Sequence, residues 1–221
     1  MGRVTTMTVR NRLRALPVFE HVDPDSTDLA ALPANPLPAI ADWIFQAAAA
    51  GQDDPHAMVL CTVGADGTPS TRTLLCKDVD EDRLYFGSHS DSRKGLEISG
   101  QPRVAAHFYW PAVGRQLRIT GTAAALDRGA AEADFADRGR GSQLSSHLHG
   151  EVPPVDRAEV LRTFDRLSEQ YPEAVPCPKS WAVYGIRPDE VEFWQASPDR
   201  IHQRLQYRRE ADGWSRAYLW P

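Results

Sequence analysis

Residues 58–88 read MVLCTVGADGTPSTRTLLCKDVDEDRLYFGS. Met58–Val63 is an apolar run of β type, Ala65-Asp66-Gly67 is a turn, and Ser70–Val79 is a second run. Asp80-Glu81-Asp82 turns the chain again before Leu84–Ser88. Short strands joined by tight turns make an antiparallel meander. The same signal returns at Val104–Trp110, Gln116–Ala125, Ala182–Ile186, Glu190–Gln195, Ile201–Arg208 and Trp214–Leu219, with Asp212-Gly213 as the last turn. The sum is about seven or eight antiparallel strands, most simply a closed barrel with helices packed outside it.

The helices are few. Pro38 suits the first turn of a helix that runs to about Ala50 and stops at Gly51. Leu37, Ile40, Ile44 and Phe45 give it an apolar face, which Trp43 widens. Ser90-Asp91-Ser92 offers an N-cap to a short helix, Arg93–Ser99, closed by Gly100. Ala130–Ala136 and Ala158–Gln170 read as helical, and Gly139–Val152 between them as a surface loop. Residues 1–35 are polar and Pro-rich without periodicity, so they read as an extended arm before one domain, 36–221. The fold class is mainly β with peripheral helices.

Composition excludes several functions. The net charge of −5 over 221 residues gives no general basic field, which argues against broad nucleic-acid binding. Cys61, Cys76 and Cys177 form no CxxC motif, and their scatter suits a reducing cytoplasm. Met1–Leu16 lacks the apolar core of a signal peptide, and the most apolar window, Ile40–Ala50, is too short to span a membrane. GxSxG, Walker, HExxH and GxGxxG motifs are missing, so a nucleotide cofactor would be held outside a Rossmann crevice. His147 and His149 form an H-x-H without a third ligand at useful spacing, so no metal is expected.

Phosphate chemistry must therefore come from local clusters of cations, of which there are three. Ser90-Asp91-Ser92-Arg93-Lys94 stands at a helix start, where unpaired N–H groups and the dipole favour an anion; a plain N-cap with a solvated basic turn is the alternative. Arg72 and Lys77 have an odd spacing that puts them on opposite faces of a regular strand, so a bulge or two different anionic groups is needed for both to act in one site; the alternative is that they snorkel to water. Arg200, His202 and Arg204 alternate and so share one strand face, against either an anion or an ion-pair ladder.

These clusters, in this order, resemble the pyridoxine (pyridoxamine) 5′-phosphate oxidase family. The matching pieces are Ser70–Lys77, Ser92-Arg93-Lys94-Gly95, Arg115-Gln116, Gly141-Ser142-Gln143, Val191–Gln195 and Arg200–Arg204. The resemblance implies an antiparallel split β-barrel that forms a homodimer and binds FMN at the subunit interface. It implies that Arg72, Ser92, Arg93 and Lys94 hold the FMN phosphate, that Leu75, Gly87 and Ser88 line the cofactor, and that Gln116 lies near its ring system. Trp194 and Arg204 would reach FMN from the second subunit. Lys77, Arg138 and Ser142 match positions that bind a substrate phosphate, while Arg200 and His202 match the catalytic pair that faces the substrate ring. The implied reaction moves a hydride from a pyridoxine/pyridoxamine 5′-phosphate-like small-molecule substrate to flavin, with oxygen as acceptor. Asp134 departs from a usual phosphate-binding Tyr, and Glu151-Val152 from a usual Gln-Ser pair at FMN. Such departures resemble the flavin oxidases of phenazine biosynthesis, which act on tricyclic precursors. A third reading is a non-catalytic split barrel that binds flavin or haem, which the Arg200–His202 pair weighs against.

Overall fold

A computed structural model describes residues 8–20, 22–23, 25–148 and 155–221. Nine strands make one antiparallel sheet: β1 (Ala57–Val63), β2 (Pro69–Leu75), β3 (Asp78–Val79), β4 (Leu84–His89), β5 (Arg103–Trp110), β6 (Arg115–Ala125), β7 (Trp181–Gln195), β8 (Gln203–Glu210) and β9 (Gly213–Tyr218). Pairing runs β2-β1-β5-β6-β7-β4-β3, with β8 on β7 and β9 on β8. The pairing does not join β2 to β3, so the barrel is split, whereas strand count alone suggests a closed one.

The sheet branches at β7. Its first part, Trp181 to Ile186, pairs with β4, and its last, Glu190 to Gln195, pairs with β8. Pro188 stands between the two pairings, opposite a register shift at Thr120/Gly121 in β6. A proline donates no ladder bond, and here its missing N–H falls in the gap on that edge. The sequence pattern breaks at this point into two strands; the structure joins them into one of 15 residues.

Inward residues alternate along the strands. Leu60, Phe86, Phe108, Leu117, Phe193 and Tyr207 are wholly buried. Helix α2 (Pro36–Ala49), capped by Asn35, packs Leu37, Ile40, Trp43, Ile44 and Ala47 against them. The Trp43 ring meets Phe193 edge-on at 4.8 Å. Phe45, expected on this apolar face, is instead 70% exposed, because the buried stripe follows residues 40, 43, 44 and 47.

A second cluster, Ala131, Phe135, Leu144, Val175 and Trp181, covers the start of β7. It is built by α4 (Arg128–Ala136), α5 (Arg140–Ser145) and the chain before β7. Helix α5 corrects the reading of residues 139–152 as loop: its Leu144 anchors one turn in this cluster. Helix α6 (Arg157–Gln170) packs beside it, with Phe164 and Leu167 half-buried against the same cluster. His149, Glu151 and Val152 lie outside the described residues. The arm is not extended throughout. It carries α1 (Val9–Arg14), capped by Thr8, and a 3-10 turn at Leu29–Ala31 that buries Leu29 in the main core. Among the described residues, no helix is long and apolar enough to cross a membrane.

Candidate active site

The first cation cluster gathers at the N-terminus of α3 (Arg93–Gly100). Ser92 caps the helix: its Oγ accepts from Gly95 N–H at 3.4 Å and donates to the His89 carbonyl at 2.6 Å. Lys94 Nζ donates to the same hydroxyl at 3.2 Å. Gly95 is required by space. A Cβ there would stand 2.4 Å from the Ser90 carbonyl oxygen and 2.6 Å from that of His89.

Arg72 lies on the inner side of β2, opposite Leu60. It donates to the Leu60 carbonyl at 3.2 Å, Thr62 Oγ1 at 2.6 Å and Ser70 Oγ at 2.7 Å, and pairs with Glu97 at 3.4 Å. The buried Glu97 also receives Ser70 Oγ at 2.7 Å and Arg93 Nε at 2.7 Å. Hydrogen bonds from Ser70, Thr62 and Arg93 pull its carboxyl down to about 2. Burial, then the charge of Arg72, pushes the Lys94 pKa below its usual value. Two cations, Arg72 and Arg93, thus share one carboxylate, and Lys94 beside them is held where an added anion would relieve it. With the free N–H groups of the helix end, this cluster fits a phosphate monoester.

Lys77 occupies a different place, past the end of β2 at Leu75. It lines a cavity of about 320 Å³ together with Asp134, Asp137, Arg138, Gly139 and Ser142. The Arg138 guanidinium lies 4.2 Å over the Trp181 ring and donates to the Ser142 carbonyl at 3.0 Å. Its Nε is buried without a hydrogen-bond partner. Trp181 Nε1 donates to Asp134 Oδ2 at 2.9 Å. Gly87 borders this group: a Cβ on it would come within 2.7 Å of the Trp181 ring and 3.1 Å of Asp134 Oδ2. Its neighbour Ser88 faces the barrel interior, and Leu75 ends β2 at 38% exposure.

The third group lies on the outer face of the sheet. Gln116, Trp194 and Arg204 are direct cross-strand neighbours on β6, β7 and β8. His107 Nε2 and Gln116 Oε1 are 3.3 Å apart. Arg204 donates to Glu192 at 2.8 Å and to the Trp220 carbonyl at 2.8 Å, so the ion-pair ladder exists for this residue. Arg200 does not share its strand face. Strand β8 begins only at Gln203, and Arg200 sits in the preceding turn with φ of 71°, its N–H bonded to the Ser197 carbonyl.

His202 returns to the group, its ring 4.6 Å from that of Trp194. The Ser197 N–H donates to His202 Nδ1 at 3.1 Å, so the neutral ring carries its proton on Nε2. Burial, then Arg200, lowers the His202 pKa below its usual 6.5, against a smaller push upward from Asp199.

Three participants are given no role by the sequence reading. Phe19 of the arm packs 5.5 Å from Trp194 and 5.7 Å from His202, with Arg200 5.9 Å over its ring. Its one signal is that it is the sole Phe, Tyr or Trp in residues 1–36. Glu97, inside the short helix α3, is the buried base of the Arg72 cluster. Arg115 is 4% exposed and donates to Gln195 at 3.0 Å and Gln46 at 2.6 Å, and to Thr27 and the Ser26 carbonyl, tying the arm to α2 and β6.

The profile of the pyridoxamine 5′-phosphate oxidase family matches residues 44–195. The chain belongs to this family of FMN-dependent oxidases. The pyridoxine 5′-phosphate oxidase C-terminal dimerisation region matches residues 181–221. A pyridoxine/pyridoxamine 5′-phosphate oxidase of Nocardioides sp. is 41% identical over 198 residues, 89% of this chain and 92% of the relative. One from Rubrobacter xylanophilus is 40% identical over 189 residues, 85% of this chain and 87% of the relative. Among solved structures, PhzG from Burkholderia lata 383, in complex with tetrahydrophenazine-1-carboxylic acid, superimposes with a TM-score of 0.82 at 30% identity. That match covers 87% of this chain and 95% of PhzG.

Proposed function

We propose that the protein oxidises pyridoxine or pyridoxamine 5′-phosphate, or a close analogue, with oxygen as the final acceptor. The observation that carries this reading is the cavity that brings Lys77, Arg138 and Ser142 together around a buried, unpartnered Arg138 Nε. A buried donor without an acceptor is costly, and an anionic substrate tail supplies the acceptor.

FMN, when bound, would supply a two-electron acceptor for the hydride, with oxygen as the final acceptor and hydrogen peroxide as its product. Arg72, Ser92, Arg93 and Lys94 would hold its phosphate, Leu75, Gly87 and Ser88 would line it, and Gln116 would stand near the ring system. Lys77, Arg138 and Ser142 fix the substrate tail. Arg200 and His202 orient the substrate ring, His202 with Nε2–H outward because Nδ1 is occupied by Ser197. The substrate loses a hydride from carbon and a proton from the adjacent amine or hydroxyl, so no paired carboxylates are needed.

The working unit in this reading is a homodimer. Val59, Leu75 and Tyr109 expose apolar surface on the same outer face as Gln116 and Trp194, and the dimerisation region spans β7 to β9. Trp194 and Arg204 complete the cofactor site of a second copy across that face. The free cysteines suit a cytoplasmic setting.

One observation favours a second reading, oxidation of a phenazine-type tricyclic precursor: Asp134 places a carboxylate inside the cavity assigned to the substrate phosphate. Anaerobic spectroscopy of the FMN-loaded protein separates the two. Bleaching of the flavin by pyridoxine or pyridoxamine 5′-phosphate, and not by a reduced dihydrophenazine, supports the first; the reverse pattern supports the second. Arg200→Ala should lower turnover more than flavin retention, and the opposite result would reassign Arg200 to the cofactor.

A further inference from the structure

The cavity around Lys77, Asp134, Asp137, Arg138 and Ser142 contains two cations and two carboxylates. That balance does not suit a doubly charged anion. Its two half-buried charges are Arg138 and Asp134. Arg138 Nη2 is engaged by the Ser142 carbonyl and Ser146 Oγ, and its buried Nε awaits an acceptor. Asp134 accepts from Trp181 through Oδ2 only. A carboxylate has about four acceptor sites, so this one has capacity for a further donor. The inner end of the cavity therefore asks for a group that accepts at one atom and donates at another.

We infer that Asp134 selects the substrate's phosphate as its monoanion, R–O–PO3H⁻, the P–OH donating to Asp134 while an anionic oxygen accepts from Arg138 Nε. A fully ionised phosphate has no donor to offer and sets like charges against each other at hydrogen-bonding range. The inference rests on the proposed phosphorylated substrate and adds which ionic form of it is bound.

The other groups facing the cavity do not supply the missing proton. Lys77 and Asp137 are exposed at its rim. Burial lowers the Arg138 pKa and Asp134 opposes it, which leaves a guanidinium charged at any pH of interest. Behind Asp134, burial raises the Cys177 thiol. His89 meets the Trp181 ring edge-on and its Nδ1 is 2.9 Å from Ser180 Oγ. Trp181 and Gly87 bring no ionisable group.

The test is kcat/KM for pyridoxamine 5′-phosphate between pH 5.5 and 8.5, in the FMN-loaded wild type and in Asp134→Asn. The second ionisation of a phosphate monoester lies near 6, so the monoanion fraction falls roughly tenfold per pH unit above about 7. Asparagine keeps an oxygen for the Trp181 N–H and removes the charge. Every other titration is common to the two proteins. The expected result is a variant-to-wild-type ratio of kcat/KM that climbs with pH above about 6. A ratio independent of pH overturns the inference. Should Asp134→Asn fail to retain FMN, the wild-type profile decides: a rise or plateau of kcat/KM above pH 7 overturns it, and a fall supports it. Absence of flavin reduction at every pH sinks the functional proposal itself, whereas turnover with a flat ratio sinks this inference alone.

Discussion

Gly95→Ala reverses the usual effect of that substitution. In an ordinary helix interior, alanine is favoured over glycine by about 1 kcal/mol. Here the added Cβ would stand 2.4 Å from the Ser90 carbonyl oxygen, 2.6 Å from that of His89 and 2.7 Å from the Ser90 carbonyl carbon. All three atoms are backbone, so no side chain can rotate away and the turn before α3 must open by about an ångström. Overpacking of this kind costs about 1–3 kcal/mol, and the rigid contact belongs at the upper end. Subtracting the helix gain leaves a loss of about 2 kcal/mol, or a fall in Tm of about 4–8 °C for a chain this long. The same movement displaces Ser92 and Lys94, so FMN affinity falls with stability. Gly100→Ala, in the last position of the same helix with nothing within 4 Å of its Cβ, is the internal control. It should leave Tm unchanged or raise it, and leave FMN affinity unchanged. Thermal unfolding at fixed protein concentration, with and without FMN, and flavin-fluorescence titration supply the readouts. A Gly95→Ala protein as stable as wild type, with undiminished FMN binding, would refute the reasoning.

Other outcomes follow from the same geometry. Glu97 is held near 2 against a usual 4.5, so its contribution to stability is complete above about pH 4.5 and is lost as pH falls toward 2. Glu97→Gln should therefore flatten the acid limb of the stability curve in that window, and an unchanged limb in acid-unfolding experiments would contradict it. Arg115→Lys leaves Gln195, Gln46 and Thr27 short of donors and should cost about 1.5–3 kcal/mol by denaturant titration. His202 should titrate below its usual 6.5 in an NMR pH series, and Asp199→Asn should lower it further by removing an opposing charge. A value above 6.5 in the wild type would show that burial and Arg200 do not govern this ring.

The meander was legible because it is local. The alternation from Met58 to Ser88 and the turns at Asp66-Gly67 and Asp212-Gly213 fix neighbouring strands by sequence alone. Branching at β7 was not legible, since Pro188 reads as a strand break until both pairings on one edge are seen. The helix face of α2 was misassigned at Phe45 because two adjacent aromatic and aliphatic residues compete for one stripe. In the site, the separate destinations of Arg72 and Lys77 came from the family resemblance, since parity left a bulge open, and the N-cap at Ser92 from residue type. Arg200 broke the alternation because it lies in a left-handed turn before β8, which begins only at Gln203. Glu97, Phe19 and the Asp134–Trp181 pair stayed hidden for a common reason. Each acts on a partner 25 to 183 residues away in sequence, a pairing that only the folded chain creates.

The central claim is that this chain carries a phosphorylated pyridine to FMN through the Lys77–Arg138–Ser142 cavity. Its most direct measurement is single-turnover anaerobic flavin reduction by pyridoxamine 5′-phosphate, set against pyridoxamine without the phosphate, in the wild type and in Arg138→Ala. The account predicts rapid bleaching by the phosphorylated compound alone, with apparent affinity sharply weakened in the variant. Equal bleaching by both compounds, or an affinity for the phosphorylated one that ignores Arg138, would contradict it.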